Sequence, residues 1–232
     1  MSTLISKIYS RERAFFDFYF WDAADRMGVK KYVGEDLKTD VRIQPPPGKP
    51  GEVWYAQEEI DRLSRLSILK INGHPEFTDW ILADAEHAWK GIEPYVKNGK
   101  MLAEVDEMLA YYHNLVIFWA AFNTVFFELP NYPEIDEYFK TNMLALREAT
   151  QAYTEQMSIR FVEYLRGYFP QLGEYAHYVS PFDVPLYAGE STSESILAEV
   201  RDRARQGCFV IEGRVYLLEN LENELARRGL EM

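Results

Sequence analysis

The chain has 232 residues, enough for one large domain or a domain with a small companion, and 47% hydrophobic with 27% charged residues marks it as globular rather than disordered. A net charge of −12 opposes binding to nucleic acid or to an anionic membrane surface, and the longest apolar run, Leu115–Phe127, is too short to span a bilayer. A single cysteine, Cys208, rules out an internal disulfide, a zinc ribbon and a CxxC redox pair. The start of the chain reaches charged and aromatic residues too early for a signal peptide, so a cytoplasmic setting is the expectation.

In chain order, Ser10 can cap a helix from about Arg11 to Met27, stopped by Gly28. Phe15, Phe16, Phe18, Tyr19, Phe20 and Trp21 crowd it, which predicts burial on more than one side. Val41–Gln44 and Glu52–Tyr55 read as short strands around the stiff stretch Pro45–Gly51. Helices follow over Gln57–Ile71 and from Pro75 to about Gly91, where Pro94 argues against long continuation. Leu102–Phe127 is apolar nearly all round in its second half and reads as a central helix. Between Glu134 and Arg166, apolar residues recur every three or four positions without Gly or Pro, as one long helix or two collinear ones.

Gly173–Ser191 reads as an extended connection. After it come a helix over Ser193–Gln206, a hairpin over Cys208–Leu218 turning at Glu212-Gly213, and a short helix over Leu221–Arg228. The expected architecture is therefore mainly α: a multi-helix bundle over residues 1–180, with a small C-terminal α+β appendage over 181–232.

Phosphate-binding loops, a nucleophile elbow and HExxH are absent from the sequence. Asp84-x-x-His87 is a lone relative of the paired Glu-x-x-His of di-metal bundles, so neither a metal nor another cofactor is expected. Cys208, opening a strand, reads as a buried structural thiol.

One constellation remains. On the central helix, His113, Ile117, Ala120 and Thr124 share a line, and Tyr112, Val116, Trp119 and Asn123 form the adjacent stripe. Ala120 and Ala121 leave room there, so a polar pocket for a small-molecule ligand is one reading. The other is that His113 and Asn123 satisfy hydrogen bonds inside the bundle. Arg147, one turn before Tyr153 on the long helix, offers a planar fork either to an anionic ligand or to one of the chain's own acids. The candidate ligand-binding set is Tyr112, His113, Trp119, Asn123, Arg147 and Tyr153; no catalytic residue is assigned.

Ser10-Arg11-Glu12 before an aromatic helix with Trp21 and Asp25-Arg26, the Pro46-Pro47-Gly48 to Gly51-Glu52-Val53-Trp54-Tyr55 segment and His113-Asn114 carry a family likeness. Leu146-Arg147-Glu148-Ala149-Thr150 with Tyr153, Tyr168-Phe169-Pro170 and the run from Ser193–Arg205 into Cys208–Tyr216 extend it. Together they resemble the helical region of phosphoenolpyruvate-utilising proteins related to phosphoenolpyruvate synthase and pyruvate phosphate dikinase. The likeness covers most of the chain through diffuse motifs. It implies a helical substrate-binding or docking module whose partner is a phosphohistidine swivelling domain. None of the four His residues lies in the glycine-rich motif that carries the phosphohistidine in that family, so the phosphotransfer chemistry maps to no residue here. The alternative is a non-catalytic helical interaction or binding protein.

Overall fold

The computed structural model describes residues 2–11, 15–122, 132–180, 183 and 194–232. It is mostly helical with a small antiparallel sheet that includes the C-terminal hairpin, as the sequence predicts. The chain divides into two compact units: residues 1–22, 38–59 and 162–232 make the first, and 23–37 with 60–161 the second.

The first unit is built on a five-stranded antiparallel sheet in the order β2-β4-β3-β5-β6, where β2 is Ser6–Arg11, β3 Val41–Gln44, β4 Gly51–Tyr55, β5 Cys208–Ile211 and β6 Arg214–Leu217. Two strands at its centre, β3 and β5, are buried at every position and run antiparallel with Arg42 opposite Val210 and Gln44 opposite Cys208. A strand apolar at each position, such as Cys-Phe-Val-Ile, needs cover on both faces and a neighbour on its open edge. The hairpin supplies that neighbour, adding two strands to a sheet whose other strands lie near the N-terminus. Its turn uses Glu212 (φ 50) and Gly213 (φ 72), both left-handed, as a tight two-residue hairpin demands.

Alternation sorts the sheet's two faces. Val41, Ile43, Phe209 and Ile211 pack with Ile5, Ala56, Leu225 and Leu230 into one apolar core. Asp40, Arg42 and Gln44 lie on the other face, with Val53, Cys208 and Val210 beside them. There Gly51 lies under the ring of Phe18, from the helix α1 (Phe15–Gly28): a Cβ on Gly51 would come within 2.1 Å of the ring and 2.9 Å of Gln44 Oε1. Within α1, Asp17, Phe18, Tyr19, Phe20 and Asp22 are all buried, so the expected enclosure on more than one side is found. The sequence placed this helix at Arg11, whereas Ser6–Arg11 is a strand paired with β4, with a bulge between Lys7 and Tyr9. The hydrogen-bonding edge of β4 overrides the capping signal of Ser10. A second, parallel pair joins β1 (Thr3–Leu4) to β7 (Leu230–Glu231).

The second unit is helical. Helix α2 (Gln57–Ile71) has the expected bounds and ends at Gly73 (φ 79). Helix α3 (Pro75–Val96) runs past Gly91 and contains Pro94. A proline so near the end removes only one helical hydrogen bond, and Lys97 N–H still reaches Glu93 O at 2.8 Å. Gly91 is needed where it stands, because a Cβ would meet the side chain of Asn114 at 2.3 Å. Asn114 belongs to α4 (Val105–Phe122), so α3 and α4 pack closely at that point. The rest of the expected central helix, 123–127, lies outside the described residues.

Helix α5 (Glu137–Tyr168) is one continuous helix, with Phe139, Met143, Thr150, Met157, Phe161 and Tyr164 buried at the expected spacing. A 3-10 segment follows over Pro170–Tyr178, where the sequence suggested an extended connection from Gly173. The chain closes within the first unit through α6 (Glu194–Gln206) and α7 (Leu221–Arg227). Among the described residues no helix is long and apolar enough to cross a membrane.

Gly51→Ala is expected to lower stability by about 1–3 kcal/mol through overpacking against Phe18. A urea titration followed by circular dichroism measures it as a lowered midpoint with an unchanged slope.

Candidate functional site

Helix α4 begins with a carboxylate that fixes its first turn. Glu107 reaches back to accept the Ala103 N–H at 2.6 Å, accepts the Tyr95 hydroxyl at 2.6 Å and pairs with Lys100 at 2.5 Å. Lys100, then Tyr95, then the Ala103 amide hold its carboxyl down to about 2, against 4.5 ordinarily. The second half of the helix is enclosed: Leu115, Val116, Phe118, Trp119, Ala120 and Ala121 are buried, as a central helix requires.

The five expected site residues that are described do not share one environment. Tyr112 is half-buried with its ring 6.0 Å from Phe161, on which Tyr111 also stacks while donating its hydroxyl to Met157 O at 2.7 Å. Trp119, 9% exposed, sits edge-on to Phe118 and Phe122. Tyr153 lies against Trp89 at 5.8 Å, and Trp89 against Phe118 at 6.0 Å. These three aromatic residues belong to two runs of ring-on-ring packing, Tyr112 to one and Trp119 with Tyr153 to the other, the use most large side chains of a helical core are put to.

His113 and Arg147, by contrast, are exposed. The enclosed pocket around His113 is therefore not formed by that side chain. The line from His113 to Ala120 starts on the half of α4 that faces solvent and ends on the half covered all round. Angular spacing alone does not show where along a helix its cover begins. Asn123 lies outside the described residues.

The most deeply buried charges are in the first unit. Arg42 is 1% exposed and forks onto Asp40, with Nε 3.0 Å from both carboxylate oxygens and Nη2 2.9 Å from Oδ2. Nη2 also donates to the Tyr55 hydroxyl at 2.7 Å. Asp40 and Arg42 are two residues apart, so both project from the same face of the sheet. A buried pair of this kind holds its guanidinium in one orientation, and loss of either partner strands the other charge. Sequence reasoning found the strand and passed over its charged face. The signal was present as Asp40-x-Arg42-x-Gln44 alternating with Val41 and Ile43.

A second pair joins Arg203 of α6 to Asp183 at 2.6 Å; Asp183 accepts the Ser180 N–H and Arg203 also donates to Tyr178 O. Burial raises the Tyr178 hydroxyl to about 12, with Cys208 adding to it. Burial also drives the Cys208 thiol far upward, only partly opposed by Arg203, so it stays protonated and chemically quiet. Asp84 accepts the Tyr32 hydroxyl and pairs with Lys31, while His87 is exposed. No group of three or more His, Cys, Asp or Glu among the described residues is placed to hold a metal ion.

No protein-family model, curated protein or solved structure matches this chain.

Two outcomes follow from this geometry. Trp119→Ala is expected to cost about 3–5 kcal/mol in stability, read from the denaturation midpoint, because a large ring leaves the packed interior. The depressed carboxyl of Glu107 contributes stability that is present above its ordinary value of 4.5 and is lost as pH falls through about 2. A carboxyl-carbon NMR titration should show Glu107 still ionised near pH 3, and Lys100→Met should raise its midpoint.

Proposed function

We propose that this chain is a helical docking or binding module of a phosphoenolpyruvate-utilising-like phosphotransfer system, without a phosphohistidine of its own, working in a cytoplasmic setting. The partner in this reading is a phosphohistidine swivelling domain, which brings the phosphoryl group from elsewhere. The resemblance of the Arg11–Arg26, Leu146–Tyr153 and Tyr168–Pro170 stretches to that family supplies the partner's identity.

The observation that carries a docking role is the exposed stripe on α5. Leu144 (39% exposed), Arg147, Glu148 and Gln151 follow at helical spacing on its solvent side. An apolar side chain beside an Arg fork, rimmed by polar groups, suits a macromolecular surface that bears phosphate better than an enclosed small ligand. His113, also exposed, is available to the same kind of partner.

The second reading, a non-catalytic helical interaction protein outside phosphotransfer, draws on the same stripe together with exposed Leu69 and Met101. It differs in predicting indifference to phosphate.

Titration calorimetry with the swivelling domain of a phosphoenolpyruvate-utilising enzyme, phosphorylated and unphosphorylated, separates the two. The docking reading expects tighter binding of the phosphorylated form, and at least about tenfold weaker binding by Arg147→Ala, the loss of one charge-assisted hydrogen bond. Arg147 is exposed, so the variant should keep its helical circular dichroism. Failure of the phosphorylated form to bind, equal binding of the two forms, or equal binding by Arg147→Ala removes the proposal.

A further inference from the structure

Between α1 and β3 the chain makes one π-helical turn, Val29–Val33, a rare conformation that recurs at functional positions. Gly34 (φ 88) closes it by donating its N–H to Val29 O at 3.0 Å. Lys70 of α2 reinforces it, donating to the carbonyls of Tyr32 and Val33 at 3.3 and 2.5 Å. The turn sets Lys31 and Tyr32 against the face of α3 on which Phe77, Trp80 and Asp84 follow at helical spacing.

Tyr32 and Trp80 meet edge to face, with centroids 5.3 Å apart and planes at 68°, and Phe77 also packs on Trp80 at 5.8 Å. Asp84 accepts the Tyr32 hydroxyl at 2.9 Å and faces the Lys31 ammonium at 2.7 Å. That ammonium lies 5.5 Å from the Tyr32 centroid and 5.7 Å from the Trp80 centroid, within the roughly 6 Å reach of a cation–π contact. Two inclined ring faces and one carboxylate around a single cation are the parts of an ammonium cage.

We propose that Tyr32, Trp80 and Asp84 form a binding site for a small quaternary ammonium compound of the choline class, with Lys31 as its built-in occupant. The site opens to solvent on one side only: Trp80 is 42% exposed and the Lys31 and Asp84 side chains are 35% and 23% exposed, while Tyr32 is its buried wall. A primary ammonium is strongly hydrated and sits on a flexible stem, so Lys31 leaves readily for water. A quaternary ammonium carries no N–H and spreads its charge over methyl groups, so it loses less hydration and gains more from the ring faces. The chain's net charge of −12 attracts such a cation. Tyr32 stays a neutral hydroxyl because burial, and then Asp84, raise it far above its ordinary range. The carboxylate charge is therefore left for the ligand. Asp84, read from the sequence as half of a lone metal-like pair, takes the role of counter-ion. This site is independent of the docking role proposed above.

The test is a calorimetric or NMR titration of the full chain with choline chloride, against sodium chloride at equal ionic strength. Lys31→Ala should bind choline at least tenfold more tightly than the unsubstituted chain. Trp80→Ala in the Lys31→Ala background should remove that gain. Should Trp80→Ala fail to fold, Asp84→Asn in the same background serves, with the same loss expected. Choline binding by Lys31→Ala no tighter than by the parent chain overturns the proposal. So does a gain that survives loss of Trp80 or Asp84, or one that sodium chloride reproduces.

Discussion

A charge carried into the centre of a sheet must bring its counter-charge, and here the counter-charge comes from two residues away, at Asp40 just before the strand begins. Strand β3 is flanked on both edges and buried at every position, yet it presents Arg42 on one of its faces. Asp40, on that face, takes up the guanidinium through a fork, and Tyr55 from β4 takes up a further N–H. The opposite face, Val41 and Ile43, belongs to the apolar core with Phe209 and Ile211. One four-residue strand thus anchors an apolar layer on one side and a polar layer on the other, and its neighbours are arranged around both. Gly51 has no side chain because Phe18 of α1 occupies that space. Burial of β5 beside it holds Cys208 as a neutral thiol.

The second unit solves a different problem with the same kind of residue. Its aromatic side chains are large enough to bridge helices, and they meet ring on ring from Tyr95 through Tyr111 and Phe161 to Tyr112, and from Tyr153 through Trp89 and Phe118 to Trp119. Tyr111 shows how a polar tip is accommodated: its hydroxyl is spent on a backbone carbonyl of α5. Packing of this kind leaves chemistry to the surface, where Arg147 and His113 stand exposed and where Trp80 and Lys31 meet at the π-turn. The proposed functions accordingly lie on the outside of the helices and not in their interior.

Much of this fold was legible beforehand because helices report themselves locally. Periodic burial along α2 and α5, the stop at Gly73 and the all-round apolarity of α4 all depend on residues within a few turns. The Glu212-Gly213 turn was equally local, since only a left-handed pair closes so short a hairpin. The first strands were misread for a converse reason. Ser10 is a sound cap in isolation, and nothing near it in sequence announces that Ser6–Arg11 would find the edge of β4, forty or more residues away. The exposure of His113 was hidden on the same ground: His113 and Ala120 do share a line on α4, but only neighbouring elements decide which part of that line is covered.

By itself, then, the sequence determined the helices, their approximate lengths, the tight turns and a net charge of −12, because each rests on backbone preferences or on composition. Tertiary structure decided which strands pair, that the C-terminal hairpin completes a sheet begun at the N-terminus, and that Arg42 lies buried against Asp40. It also decided that Lys31, Tyr32, Trp80 and Asp84, spread over more than fifty residues, surround one point. Those outcomes depend on which surfaces distant segments offer each other, and a pattern read along one segment carries no record of that.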